Sequence, residues 1–357
     1  MSATHRLPAG YLHSLSRRIF MAVGTPLHIA DDVAEILVKA NLTGHHSHGV
    51  LRIPQYLQQI EEGRIVPAEE PVIVKDAANT MTVDGQGGFG LYTARWTMNR
   101  AIVKARQAQV CCVSLVQTRH IGRLGEYAEQ AAHAGCIGLI TSGDSTPGNG
   151  DVVPFGGVKG VLGTNPIGAG VPTGDDAPFI LDYATSMIAA GKIKVAASKG
   201  ADLPEGCIID RHGSSSVRPD DFYDGGFLLP FGGHKGYGLG VLVALLGGLT
   251  GLFDMERGTV EGKFMQTINV AAFIALETFQ RGVRATLNAI KRTPPALGIG
   301  EVLVPGEPEY RARKRQLAEG IELPDTVYRQ ICDRAQKLGV SLSENEVSDA
   351  DIVRYRG

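Results

Sequence analysis

Gly44-His45-His46-Ser47-His48-Gly49-Val50-Leu51-Arg52 sets three imidazoles and a guanidinium within one short stretch. Imidazole is the side chain best suited to moving protons near neutral pH. A guanidinium fork is the strongest single partner for a carboxylate. His48 four residues before Arg52 therefore suggests an acid–base group beside a carboxylate clamp. Clustered histidines also ligate metals, so a metal-dependent lyase or hydrolase using His45, His46 and His48 is a rival reading. No Cys or carboxylate falls at a familiar zinc spacing, which argues against it. A second imidazole, His120, sits in Gln117-Thr118-Arg119-His120-Ile121-Gly122 directly after an apolar strand-like run. Strand ends of α/β sheets often meet ligands.

The elements that must hold these groups read as follows. Pro8–Met21 and Thr25–Asn41 are helical by period, and Gly44 closes the second. The histidines thus follow a helix C-terminus, whose partial negative charge favours a protonated ring. Ile53–Glu62 is a further helix. From Val72 the pattern turns to short strands alternating with helices: Val72–Val74, Thr80–Val83, Leu91–Gln107, Val110–Val116, Leu124–Ala134 and Cys136–Thr141. That alternation predicts an α/β domain. Thr141–Gly150 reads as a loop, and Leu239–Leu252 as a buried helix too short for the roughly 20 residues of a membrane span. Ile268–Leu276 and Val302–Pro305 read as strands, Glu277–Ile290 and Pro324–Leu338 as helices. The tail after Ser341 is polar and has no clear period.

Gly85-Gln86-Gly87-Gly88-Phe89-Gly90 matches G-x-G-x-x-G between a strand and a helix. No acidic residue ends the next strand to hold a ribose, so an ordinary Rossmann fingerprint is rejected. Phe231-Gly232-Gly233-His234-Lys235-Gly236 opens a helix and offers a phosphate cradle, but it is not an ATP P-loop.

The whole chain has 357 residues, 43% of them hydrophobic and 20% charged, with a formal net charge of −2. That balance suits a soluble protein with a large core and gives no reason to expect nucleic acid or an acidic membrane surface. Five cysteines without a C-x-x-C predict reduced thiols and a cytoplasmic setting. The N-terminus lacks the apolar run of a signal peptide.

Six stretches in order resemble the malate/L-lactate dehydrogenase family that lacks a Rossmann fold. They are GHHSHGVLRIPQY, RHIG from Arg119, PFGG with LGTNP, LDYATS, GGHKGYGL and VPGEPE. HIGRLGEYAEQ and the stretch RKRQLAEGIELPDTVYRQICDRAQKLG are most like its hydroxycarboxylate dehydrogenase branch. The resemblance implies an oxidoreductase moving hydride between NAD or NADP and a 2-oxo or 2-hydroxy acid, and a homodimer. It implies an α/β fold: a mixed-sheet cofactor domain over 75–227, and a largely helical domain from 1–74 and 228–357. By motif position His120 and His48 are catalytic, and Arg52, Tyr56 and His48 line the substrate pocket. Cofactor contacts fall on Asp144, Pro154, Gly156, Gly163, Thr164, Asn165, Asp182, Ala184, Thr185, Ser186, Lys192, His234, Lys235, Gly236, Gly306 and Glu307, with no resident metal. The family pattern has Asp where His46 stands, and Gly143–Asp151 is longer than usual. A reductase of cyclic imine carboxylates is a same-class alternative, and a binding protein retaining a silent cofactor cleft is another.

Overall fold

Backbone pairing in the computed structural model, which describes residues 4–343, 347–348, 350–351 and 354–355, builds one large mixed sheet. Its strands run in the order Val72–Asp76, Thr80–Asp84, Val110–Val116, Thr259–Asn269, Cys136–Ser145, Ile167–Val171 and Phe179–Tyr183, with Phe253–Asp254 pairing alongside Thr259–Asn269. Only Thr80–Asp84 and Val110–Val116 are parallel; every other neighbouring pair is antiparallel. The parallel pair is joined by the helix Gly90–Ala108, as such a crossover requires.

Two sheet faces carry different partners. On one face lie Gly90–Ala108 and Gly125–His133. Gly138, Gly168 and Gly170 turn towards the second of these helices and its leading turn, where added Cβ atoms would meet Ala131, Leu124 and Ala128. On the other face lies the helix His234–Gly247. It comes so close that a Cβ on Gly143 would fall 2.1 Å from the Val243 carbonyl, and one on Gly262 would fall 2.2 Å from that of Gly247. Since strand side chains alternate, Ser142 and Asp144 must share the first face with Gly138 and Ile140.

The chain ends meet. Thr4–Leu7 pairs antiparallel with Ile321–Pro324. Ala9–Ala22 and Leu27–Leu42 pack together through Leu12, Leu15, Ile19, Ile29, Val33 and Leu37, all buried. Gln316, on the helix Glu307–Glu319, donates from Nε2 to the carbonyls of Asn41 and Leu42 at 2.7 and 3.0 Å. That helix is thereby fastened to the end of the second helix.

Five expectations need correction. The strand expected over Ile268–Leu276 ends at Asn269, and a 3-10 turn at Val270–Ala272 leads towards the helix Leu276–Lys291. Thr259–Asn269 was placed in the largely helical portion, but it is a central strand of the sheet. Its Glu, Lys, Gln and Thr residues hide the strand signal, because a charged cavity wall replaces one apolar face. Residues 141–145, expected in a loop, continue the strand, since all ten residues of Cys136–Ser145 find register partners in Thr259–Asn269. Residues 302–304 have no regular structure. The apolar helix is buried on one side only: Gly236, Gly240, Val243, Ala244 and Gly247 face the sheet, while Leu242 and Leu245 are more than half exposed. Among the described residues no helix is long and apolar enough to cross a membrane.

The Gly143 contact gives a direct test. Gly143→Val should destabilise the protein by about 1–3 kcal/mol through overpacking, read as a lower urea midpoint. Gly282→Ala, on a helix with nothing within 4 Å of the added carbon, should leave the midpoint unchanged or raise it.

Candidate active site

His48 and His120, separated by 72 positions in sequence, stack with ring centroids 5.5 Å apart and planes 15° from parallel. Both border a cavity of about 370 Å³ whose walls also include Thr118, Arg119, Ser142, Asp144, Asn165, Glu261 and Lys263. Each imidazole is held through Nδ1: Ser47 Oγ lies 3.0 Å from that of His48, and Tyr56 Oη lies 2.7 Å from that of His120. Each Nε2 is left without a hydrogen-bond partner among the described residues. Thr118 Oγ1, buried on the same wall, is likewise unpartnered. Unmet polar atoms converging on one cavity are the mark of a ligand site.

Local structure explains how the rings reach this place. After Leu27–Leu42 the chain makes two short 3-10 turns, His46–His48 and Val50–Arg52. Asn41 organises them. Its Oδ1 accepts from the Val50 N–H at 2.8 Å, and its Nδ2 lies 3.0 Å from His46 Nδ1. Gly49 is required there, because a Cβ would fall 1.9 Å from Asn41 Oδ1. On the other side, the G-x-G-x-x-G turn packs behind His120. Gly85 and Gly87 donate to the carbonyls of Val116 and Gln117 at 3.0 and 3.1 Å. A Cβ on Gly90 would lie 2.5 Å from the carbonyls of both Arg119 and His120. These glycines shape the histidine turn. Tyr127 also steadies it, donating from Oη to the Ile121 carbonyl at 2.6 Å.

Both imidazoles are electrically neutral in this setting. Burial, then the Arg52 charge, pushes His120 down to about 3 and His48 down to about 4. Lys263 adds to the effect on His120. The expected help from the helix end to a protonated ring is thus outweighed. Among the described residues no carboxylate pairs with either ring, unlike His45, which lies 3.5 Å from Glu309.

Several assigned residues take other places. Tyr56 is buried behind His120 and hydrogen-bonds its Nδ1, and neither Tyr56 nor Arg52 is among the residues that border the cavity. Arg52 uses Nε on the Ser47 carbonyl at 2.7 Å and Nη1 on Gln55 at 2.6 Å; Nη2 has no partner among the described residues. The three clustered histidines part, to Glu309, Asn41 and Ser47, which disfavours the metal reading. One described trio of metal-capable groups exists elsewhere, His13, Asp31 and Asp351. Arg17 and Arg354 already neutralise those carboxylates. A larger cavity of about 1020 Å³ beside Tyr11, Tyr310 and Lys314 includes neither His48 nor His120.

The positions assigned to a cofactor form two groups. One gathers around the start of His234–Gly247. Thr185 donates from its N–H and its hydroxyl to the Thr164 carbonyl, at 2.8 and 3.1 Å. Ser186 bridges to Pro230, and the Phe155 ring, between Pro154 and Gly156, lies 6.0 Å from that of His234. The helix has no side-chain cap, and His234 and Lys235 are exposed; uncapped N–H groups beside a lysine fit a phosphate. The helix Ala190–Lys199, carrying exposed Lys192, approaches Ser47 through Gly191. Asp182 and Gly306 belong to the second group. Asp182 accepts from the Gly125 N–H at 2.7 Å. Gly306 presses on Pro178 and Ile180, and Glu307 pairs with Lys291 and Arg311. Asn165 is a clamp: its Nδ2 spends both protons, on the carbonyls of Asp144 and Gly240. Lys263 and Glu261 escaped sequence reasoning, since no motif marks them and only strand pairing brings them here.

A buried imidazole pair bordering a cavity with charged walls on a mixed α/β sheet is the setting of an acid–base enzyme. The chain belongs to the malate/L-lactate dehydrogenase family, whose pattern it matches over residues 7–332. It is 35% identical over 350 residues to hydroxycarboxylate dehydrogenase B of Escherichia coli (strain K12), covering 95% of this chain and 96% of that protein. It is 37% identical over 338 residues to an L-lactate dehydrogenase of Cupriavidus necator, covering 92% and 96%. The solved sulfolactate dehydrogenase of Methanocaldococcus jannaschii superposes with a TM-score of 0.85 at 33% identity, covering 95% and 98%.

The neutral rings carry a pH signature. In the unfolded chain both histidines take up protons near 6.5, well above their folded values. Stability should therefore fall as pH drops from about 6.5 towards 4. His120→Gln should flatten that fall, measured as urea midpoints at pH 5 and 7.5.

Proposed function

We propose that the protein carries out reversible hydride transfer between a nicotinamide dinucleotide, NAD or NADP, and C2 of a 2-oxo or 2-hydroxy acid. The observation that carries this reading is the pair of imidazoles pinned through Nδ1, with each Nε2 unpartnered among the described residues and both rings bordering one cavity. The bound dinucleotide supplies or accepts the hydride. The Gly232–Gly236 turn with Lys235, and the Thr164, Thr185 and Ser186 loops, would hold it. Arg52, close enough to both rings to lower their basicity and with Nη2 unpartnered among the described residues, takes the substrate carboxylate and fixes C2. That carboxylate adds negative charge beside the rings, so its entry raises the affinity of the imidazoles for a proton. His120 Nε2 then gives that proton to the oxo oxygen, or takes it from the alcohol in reverse. Tyr56 Oη can accept from Nδ1–H throughout, keeping Nε2 turned to the substrate. His48, stacked alongside, polarises the same oxygen.

The unit that acts is inferred to be a homodimer in a reducing cytoplasm. Five unpaired cysteines support the setting. A broad exposed apolar surface supports the partner: Leu245, Leu249, Met255, Phe273 and Leu297 are 57%, 59%, 84%, 74% and 105% exposed, and the helix Leu276–Lys291 has no buried residue. Surfaces of this kind are covered in assemblies. Sedimentation should give about twice the chain mass, and a monomer at micromolar concentration refutes the dimer.

The chemistry is tested by following absorbance at 340 nm with 2-oxo acids and both cofactors. His120→Ala should lower turnover by a factor of about 10² or more. Arg52→Ala should act chiefly through a higher KM for the acid. Full turnover by the first variant removes His120 from the mechanism; unchanged constants in the second remove the clamp.

A further inference from the structure

Two separate apolar cores carry the parts of this site. Leu42, Val50, Ile53 and Tyr56, around the histidine turn, belong to the larger core together with the first two helices. Ile193, on the helix Ala190–Lys199, belongs to a smaller core with Leu203, Ile208 and Leu228. That helix follows the Thr185 and Ser186 loop, and Ser186 Oγ donates to the Ile188 carbonyl at 2.9 Å just before it. The smaller core therefore carries groups proposed for the cofactor, and the larger one those proposed for the acid.

The two cores meet at Ser47. A Cβ on Gly191 would fall 3.1 Å from Ser47 Cβ and 3.7 Å from its Oγ. Gly191 does not adopt a positive φ, so its backbone conformation does not call for glycine; the close approach does. Ser47 in turn touches both reactive groups. Its Oγ lies 3.0 Å from His48 Nδ1, and its carbonyl accepts from Arg52 Nε at 2.7 Å. Among the described residues that Oγ has no other partner. Neither 3-10 segment of the turn has a side-chain cap. A displacement of Ser47 is therefore passed to the imidazole and to the guanidinium together.

We propose that Ser47 is a positioning residue through which the cofactor's core steers the grip on the acid: the helix Ala190–Lys199, seated on Ser47 through Gly191, sets the aim of His48 and Arg52. The inference goes beyond the reaction proposed above and rests on it only for its kinetic consequence. A side chain at position 191, in the cofactor's core, then acts on the acid and not on the dinucleotide. The added carbon displaces Ser47 by a few tenths of an ångström, and a misplacement of about 1 Å costs about 10² in rate.

The test combines Gly191→Ala with Ser47→Gly. The His48 ring signal in proton–carbon NMR spectra, assigned by its loss in His48→Gln, reads placement without turnover. Gly191→Ala should move that signal in the wild-type background. It should leave the signal still in the Ser47→Gly background, where the carbon that would be pushed is gone. Calorimetry with oxamate, an unreactive mimic of a 2-oxo acid, reads the grip. With saturating dinucleotide, Gly191→Ala should weaken oxamate about fivefold while NADH and NADPH affinities stay within about twofold. Ser47→Ala keeps the carbonyl that holds Arg52, so it should lower kcat about tenfold with KM for the acid within about twofold. Gly191→Ala should melt no lower than wild type, since alanine is the better helix former.

A His48 signal that Gly191→Ala leaves in place, or moves equally in both backgrounds, overturns the inference. So does a dinucleotide affinity that falls as far as that of oxamate. Absent turnover, or absent binding of oxamate to wild type, counts against the proposed reaction alone, and the ring signal still decides the role of Ser47.

Discussion

Burying two imidazoles face to face, beside cations and without a carboxylate partner, is the constraint around which this protein is arranged. Each ring loses its ordinary basicity through burial, and the Arg52 charge deepens the loss. A charged ring in that position would be costly, so the surroundings favour neutral histidines. In the proposed reaction the substrate's carboxylate adds negative charge beside the rings, which links its binding to proton uptake.

Such a pair must be held by neighbours that leave the reactive nitrogens free. Ser47 and Tyr56 each engage an Nδ1. Behind Tyr56 lies Phe89, and behind Phe89 lies Phe20, with ring centroids 6.3 and 5.3 Å apart in the two steps. His120 is therefore braced through aromatic packing into the first helix. His48 is braced differently, by the Asn41 amide and by Gln316 from the far end of the chain. Gln117 and Asn165 both adopt positive φ at the cavity rim, at 47° and 40°. Strain of this sort persists where surrounding structure over-determines the backbone.

Opposite the rings, the sheet contributes charge instead of apolar surface. Thr259–Asn269 gains its central position by pairing on both edges, which frees one of its faces for polar residues. Ten paired positions with Cys136–Ser145 supply the stability that Asp144 and Glu261 partly offset. The helix His234–Gly247 closes the other face through glycines on both elements, and its outward leucines remain uncovered within one chain. Cavity wall and apolar exterior are thus two sides of the same pair of strands.

Helices and short strands were legible in the chain because their signals are local: Leu27–Leu42 shows a 3.6-residue period, and Val110–Val116 an apolar run between turns. His48, Arg52 and His120 could be singled out by type and by position after a helix or strand. Lys263, Asp144 and Glu261 could not be assembled that way, since their meeting depends on register between strands more than a hundred residues apart. Tyr56 was visible as part of a motif, but its partner was not, because a hydrogen bond to Nδ1 is a fact of packing. Residue type and local period determined which chemistry the chain could host. Long-range strand pairing and close helix–sheet contact decided which groups face one another, because charge and hydrogen bonding act over a few ångströms whatever the distance along the sequence.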